Sequence, residues 1–352
     1  MPTRKRLSQF NLLGYAMGDL GGCMTFALLG SFLTPYYTEV AGMSTASVAA
    51  MYLVLKIWDA VNDPLMGAWM DKVFARSENP KGKFRPWMMR ATPLLAISAI
   101  LMWTAPTFVG GTAKMLVAFV TYLLYEASYT MFNIPYGALL SAMSGNDQER
   151  TSLSSARGVG SMIGNLFPLL IFPYVIKMSP DHPQLGYTVG ICICAAIGFL
   201  CCMLSCRWTT ERFYHHEHHN PRHASNVRMS DILHVLRNNR PFVALCLQGL
   251  VYSVGQYIGS TLSIYMYRDI LGDVTYMSMA TIITMPLSFV FLAWAPKLTE
   301  RFGMERTVRA TQLISAALYC LVFSVLLFTR TAIVYMLLIG LAQSFGGVTV
   351  LM

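Results

Sequence analysis

The nine residues KIWDAVNDP, positions 56–64, put Lys56, Asp59 and Asp63 inside an otherwise apolar run that extends from about residue 45 to about residue 70. Outward from that stretch, on both sides, the chain keeps the same apolar character. Of 352 residues, 55% are hydrophobic and only 12% are charged, where an ordinary soluble domain carries about 25% charged residues. A chain this poor in charge reads as a membrane protein. Its few charged interruptions are therefore the informative positions.

A hydrocarbon core about 30 Å thick needs roughly 20 apolar residues per spanning helix. Runs of that length, bounded by charge or turn residues, lie at about 12–36, 45–70, 88–107, 114–143, 154–177, 185–206, 241–266, 275–296, 307–329 and 332–352. Ten spanning helices are predicted. The first follows MPTRKR, outruns a signal-peptide core and has no small-residue cleavage site behind it, so it is expected to stay as a helix with no soluble domain ahead of it.

Lysine and arginine orient the spans, because cytoplasmic loops accumulate them. Residues 1–11, 72–90, 143–157, 207–240 and 297–309 hold 21 of the 26 basic residues, and the alternate connections hold only Lys114, Lys177, Arg268 and Arg330. The N-terminus and the long central loop are thus expected to face the cytoplasm. This asymmetry accounts for the net charge of +9, and no nucleic-acid partner is inferred from it.

The longest polar segment, residues 207–240, separates six predicted spans from four. The chain therefore divides into an N-terminal six-helix bundle (1–206), a cytoplasmic linker (207–240) and a C-terminal bundle of about four helices (241–352). Two bundles joined by a linker are the pattern of parallel repeats related by an axis along the membrane normal. GAWMDKVFARSENPKGKFRPW after the second span and LAWAPKLTERFGMERTVRA after the eighth echo one another as basic loops at matching places. A repeat of six predicts twelve spans, and the chain stops at GGVTVLM inside the tenth. About two helices are then expected to be missing, through a truncated reading frame or a fragment; the alternative is a genuine ten-helix protein.

The eight cysteines, at 23, 192, 194, 201, 202, 206, 246 and 320, all fall within predicted spans, where they read as small packing residues rather than a disulfide or zinc framework. HHEHH, residues 215–219, has metal-ligating side chains, but in a polar linker without a partner cluster it reads as a solvated segment. No span contains histidine. A membrane-embedded enzyme would need a nucleophile and base at one depth, so that class is disfavoured.

An ionisable side chain at mid-membrane costs at least about 2.5–3.5 kcal/mol, which makes each one a functional candidate. The candidates are Asp19, Lys56, Asp59, Asp63, Glu126 and, near a helix end, Arg157. Asp59 and Asp63 are four residues apart, with Lys56 three before Asp59 and Asn62 one before Asp63, so the four share a broad helix face. Two carboxylates on one face repel, and in a low dielectric one protonates unless a cation intervenes. The face is suited to a hard cation such as Na⁺ or to a shared proton, with Lys56 as the balancing charge when neither is bound. In the fourth span, Glu126, Tyr129, Thr130 and Asn133 fall at i, i+3, i+4 and i+7. Such a stripe of hydroxyl, amide and aromatic groups suits a sugar, whose hydroxyls need directional hydrogen bonds, although a polar helix–helix contact would use the same residues.

These residues resemble the glycoside-pentoside-hexuronide:cation symporters, relatives of the melibiose and glucuronide carriers within the major facilitator superfamily. The resemblance rests on GYAMGD (14–19), YYTEVAG (36–42), WDAVNDPLMG (58–67), KGKFRPW (81–87), YTMFNIPYGAL (129–139), QERTSLSSARG (148–158) and RNNRP (237–241). It implies an all-α membrane protein with the major facilitator fold, two six-helix bundles, about ten of the twelve helices being present. It further implies that Asp59, Asn62, Asp63 and Thr130 bind the coupling cation and that Asn133 and Arg157 contact sugar. Asp19, Cys23, Tyr129 and Gly137 complete the candidate substrate set together with Glu126, which is outside the family pattern and reads either as an additional proton acceptor or as an idiosyncratic hydrogen-bonding residue.

The departures narrow the substrate. The two carboxylates that bind sugar in the melibiose carrier align with Cys23 and Asn133, and its stacking tryptophan aligns with Gly137, so a galactoside of that type is not expected. Neutral groups beside a retained Arg157 remove repulsion toward an anionic sugar, and NIPYG is similar to the glucuronide branch. The expectation is a Na⁺- or H⁺-coupled symporter in the bacterial inner membrane, monomeric and without a cofactor, importing a glucuronide or hexuronide. The alternatives are a carrier of pentosides (xylosides) or neutral glycosides, and a truncated, non-transporting remnant or sensor.

Overall fold

The computed structural model describes residues 7–75, 82–111, 113–212, 239–328 and 332–350. Among them there are ten α-helices and no strand: α1 (Gln9–Pro35), α2 (Thr45–Ala75), α3 (Arg85–Met102), α4 (Ala113–Met143), α5 (Asp147–Lys177), α6 (Pro183–Trp208), α7 (Arg240–Tyr265), α8 (Thr275–Phe302), α9 (Met304–Phe328) and α10 (Ala332–Val350). All ten predicted spans correspond to a helix, most extended by a few residues into flanking polar sequence. The His-rich stretch 215–219 lies outside the described residues.

Among the described residues, four segments, Gln9–Val40, Ala113–Met143, Gln148–Lys177 and Pro183–Trp208, are long and apolar enough to cross a membrane by length and composition alone. α2 has the length, with 31 residues, but its charged face lowers its hydropathy. That face is the cost of the site described below.

The chain divides into two compact units, one of Met1–Gly164 with Ile191–Leu262 and the other of Asn165–Gly190 with Ser263–Met352. In the first, α1 is packed by small residues. A Cβ on Gly160 of α5 would collide with the Ala16 carbonyl oxygen, and one on Gly164 would collide with that of Leu20. Backbone-to-backbone approach of this kind is how helices gain contact where lipid offers no hydrophobic driving force. It brings Arg157, one turn before Gly160 on α5, close to α1. α3 runs along α4, and α2 also packs on α4.

The KGKFRPW motif has a structural task. Gly82 adopts φ +103°, and a Cβ there would collide with the Glu211 carboxylate. That carboxylate accepts hydrogen bonds from the backbone N–H groups of Lys83, Phe84 and Arg85 at 2.7, 2.9 and 2.9 Å. Three donors at the start of α3, which have no partner within the helix, are satisfied by one residue from just beyond α6. The Arg85 guanidinium closes the clamp by donating to the Cys206 carbonyl at 2.8 Å.

The second unit is built on α8, α9 and α10, with Val322, Tyr335 and Ile339 at the centre of a buried apolar cluster. Ser315 of α9 donates to the Ala342 carbonyl of α10 at 2.7 Å. Between α7 and α8, Asp273 pairs with Lys177 and accepts from the Thr275 N–H at 2.9 Å. The Lys177 ammonium beside it holds the Asp273 carboxyl down at about 2.

A further repeat is visible in the backbone. α1 ends in a π-turn at Tyr36–Val40 followed by Gly42 at φ +69°, and α7 ends in a π-turn at Met266–Ile270 followed by Gly272 at φ +87°. The closing bonds match: Ala41 N–H to Tyr36 carbonyl at 2.8 Å, and Leu271 N–H to Met266 carbonyl at 3.1 Å. YYTEVAG and MYRDILG are therefore one device used twice, each with a glycine where positive φ is required.

Candidate functional site

The candidate residues all belong to the first compact unit, on four helices: Asp19 and Cys23 on α1, Lys56 to Asp63 on α2, Glu126 to Gly137 on α4, and Arg157 on α5. α4 is the common wall. It carries Pro135, and α2 carries Pro64 directly after Asp63. A proline lacks the N–H that would bond the carbonyl four residues earlier. Ala60 and Met131 thus keep carbonyls without their usual helical donor, which adds polar character beside the charged side chains.

The first cluster joins α2 to α4. Lys56 Nζ lies 2.9 Å from Asp59 Oδ2 and 3.9 Å from Glu126 Oε1. One helical turn on, the Thr130 hydroxyl donates to Asp63 Oδ1 at 3.2 Å. The two acids expected to repel are thus held apart by different partners, Asp59 by an ammonium and Asp63 by a hydroxyl. Asp63 is exposed, while Asn62 is half-buried beside it. A cation approaching Asp63 meets a carboxylate whose charge no lysine or arginine neutralises at salt-bridge distance among the described residues.

The second cluster joins α1 to α5. Arg157 Nε lies 3.0 Å from Asp19 Oδ2, and a terminal nitrogen donates to Oδ1 at 3.4 Å, a two-point pairing that fixes the guanidinium plane. The guanidinium carbon stands 5.0 Å from the centroid of the Tyr136 ring, a cation–π distance. Tyr136 in turn stacks on Tyr15 at 4.7 Å and donates to the Tyr15 carbonyl. Neither tyrosine stands out in the sequence as a candidate. Tyr136 lies seven residues after Tyr129, which is the signal that places both on one face.

The α4 stripe divides between its neighbours. Glu126 and Thr130 meet α2, whereas Tyr129 turns to α1 and stacks on Phe26 at 5.0 Å. Asn133 is half-buried. Cys23 lies against Ser161, Sγ to Oγ 3.5 Å. A Cβ built on Gly137 would meet nothing within 4 Å, so the position aligned with a stacking tryptophan borders open space. α7 adds Tyr257, whose ring centroid is 5.8 Å from Lys56 Nζ, a contribution that no motif announced.

A family model described as MFS/sugar transport protein matches residues 14–352. The chain belongs to this family. Curated relatives align along most of it. A symporter of Bacillus subtilis (strain 168), YjmB, is 32% identical over 311 residues, covering 87% of this chain and 65% of its own length. The "Glucuronide carrier protein homolog" of Escherichia coli (strain K12) is 28% identical over 325 residues, covering 91% of this chain and 68% of its own. The chain thus spans about two thirds of the length of these relatives. Among solved structures, a mutant of the nucleoside transporter NupG superposes with a TM-score of 0.63 at 15% identity, over 97% of this chain and 81% of its own. At that identity the likeness concerns the fold alone; it is the family match that makes the chain a member of a transporter family rather than an enzyme family.

Proposed function

We propose that this chain forms the cation- and sugar-binding part of a symporter that imports a glucuronide or hexuronide by alternating access. It lies in the cytoplasmic membrane with its N-terminus inside and works as a monomer. The observation that carries the reading is the pair of clusters that α4 borders: carboxylates already holding an internal cation on one side, and a guanidinium on the other. Na⁺ or H⁺ is the second cargo, taken by Asp59, Asn62, Asp63 and Thr130. Cation arrival removes negative charge from the pocket and fixes Thr130, so sugar binds well to the loaded carrier and poorly to the empty one. Linkage then requires the sugar to favour the cation by the same factor.

Arg157 supports an anionic sugar, because a carboxylate is recognised in two-point fashion by the donor edge that now faces Asp19. The name of the Escherichia coli relative supports the same class. One observation favours a second reading, a neutral pentoside: Asp19 already balances the charge of Arg157, which lessens the pull on an anion.

Uptake of labelled glucuronide and labelled xyloside into liposomes holding the full chain, with Na⁺ and pH gradients imposed separately, tests both readings. One ion gradient is expected to drive glucuronide inward and xyloside weakly. Uptake indifferent to both gradients would end the symport reading, and preference for the xyloside would replace the substrate.

A further inference from the structure

Glu126 is 8% exposed, and its Oε1 is enclosed by protein without accepting a hydrogen bond. A buried acceptor left unmade is expensive. The same oxygen faces Lys56 Nζ across 3.9 Å, while that ammonium rests 2.9 Å from Asp59. The groups facing Glu126 are Lys56, Asp59 and Asp63 from α2 and Tyr122 from its own helix; Tyr257 of α7 borders the lysine from the other side. Two carboxylates, those of Asp59 and Glu126, thus flank one ammonium, carried on a flexible four-carbon stem with three donors.

We infer that Glu126 is a positioning residue: the alternative seat of Lys56, to which the ammonium moves when the coupling cation takes the carboxylate of Asp59. The inference deepens the symport reading and rests on it. A cation arriving at Asp59 repels the ammonium beside it. In a low-dielectric interior a displaced ammonium with no counter-charge is costly, so without Glu126 it would stay on Asp59 and compete with the incoming ion. With Glu126 present the move is short, ends in a full ion pair and satisfies the orphaned Oε1. Lys56 then has two seats, and the coupling cation chooses between them.

The test is a mutant cycle on cation dependence, read as binding of a labelled glucuronide to the full chain in lipid nanodiscs while Na⁺ is titrated at fixed pH and pH is titrated without Na⁺. Glu126→Gln is expected to raise the half-saturating cation concentration on the order of tenfold, within the range of about 5- to 150-fold typical of coupled sites. Lys56→Gln is expected to lower it, because the internal competitor is gone. In the Lys56→Gln background the Glu126→Gln effect should vanish. An equal effect of Glu126→Gln with and without Lys56, or no effect at all, overturns the inference. If Glu126→Gln does not fold, Glu126→Asp carries the same test: a smaller rise that disappears when Lys56 is removed. Absence of any cation effect in the unaltered chain would instead defeat the symport reading itself, before any variant is compared.

Discussion

The Asp63→Asn carrier is expected to lose cation-driven sugar accumulation while still binding sugar at the weak, cation-free level. Asp63 is the exposed acid of the α2 face, and the hydroxyl of Thr130 approaches it at 3.2 Å. Asparagine preserves the shape and a Thr130 acceptor, so the change is to charge alone. Coupling of this kind is worth about 1–3 kcal/mol, or roughly 5- to 150-fold in affinity. In the Asp63→Asn variant that factor should collapse to about one. Asp59→Asn should also uncouple, through a different route: it releases the Lys56 ammonium toward Glu126, and the variant is left with its cation already supplied. Comparing sugar affinity with and without the driving ion measures both, and retention of the ion effect in either variant would contradict the assignment.

The second large effect belongs to Arg157. Removing one partner of a hydrogen-bonded, partly buried charge pair costs about 2–5 kcal/mol, much of it from the charge left behind. Arg157→Gln should therefore weaken glucuronide binding by roughly 30-fold or more and weaken a neutral xyloside far less. Asp19→Asn should do the opposite. It keeps an oxygen toward the guanidinium but frees its charge, so the ratio of anionic to neutral affinity should rise. Competition binding with the two sugars reads both ratios in one series. Two ratios moving in the same direction would show that the pair serves packing rather than selection.

The ten helices could be read from composition, since a run of about 20 apolar residues in a bilayer has few alternatives to a helix. The α2 face was legible for the same reason: KIWDAVNDP places charge where charge is costly, and spacing alone puts its members together. Thr130 joined the cation set through the family resemblance, since its spacing alone placed it in a stripe suited to sugar. What spacing could not supply was the rotation of α4 between its neighbours, which sends Glu126 to Lys56 and Tyr129 to Phe26. That rotation is set by the packing of α4 against α3, α2 and α1, a three-dimensional fit that spacing along one helix does not encode. The cradle of Tyr15 and Tyr136 around Arg157 was missed because buried tyrosines on apolar helices look like ordinary packing. The match of YYTEVAG with MYRDILG was not read from the sequence, because the two share only scattered letters; the aligned π-turns and positive-φ glycines make their equivalence plain.

The central claim is that the carboxylate cluster and the arginine cluster are linked through α4, and thermodynamic reciprocity tests it most directly. Calorimetric titration of the full chain should give sugar affinity at zero and saturating cation, and cation affinity at zero and saturating sugar. The two ratios should be equal, greater than about five, and both close to one in Asp63→Asn. A sugar affinity unmoved by Na⁺ and by pH in the unaltered chain would contradict the account.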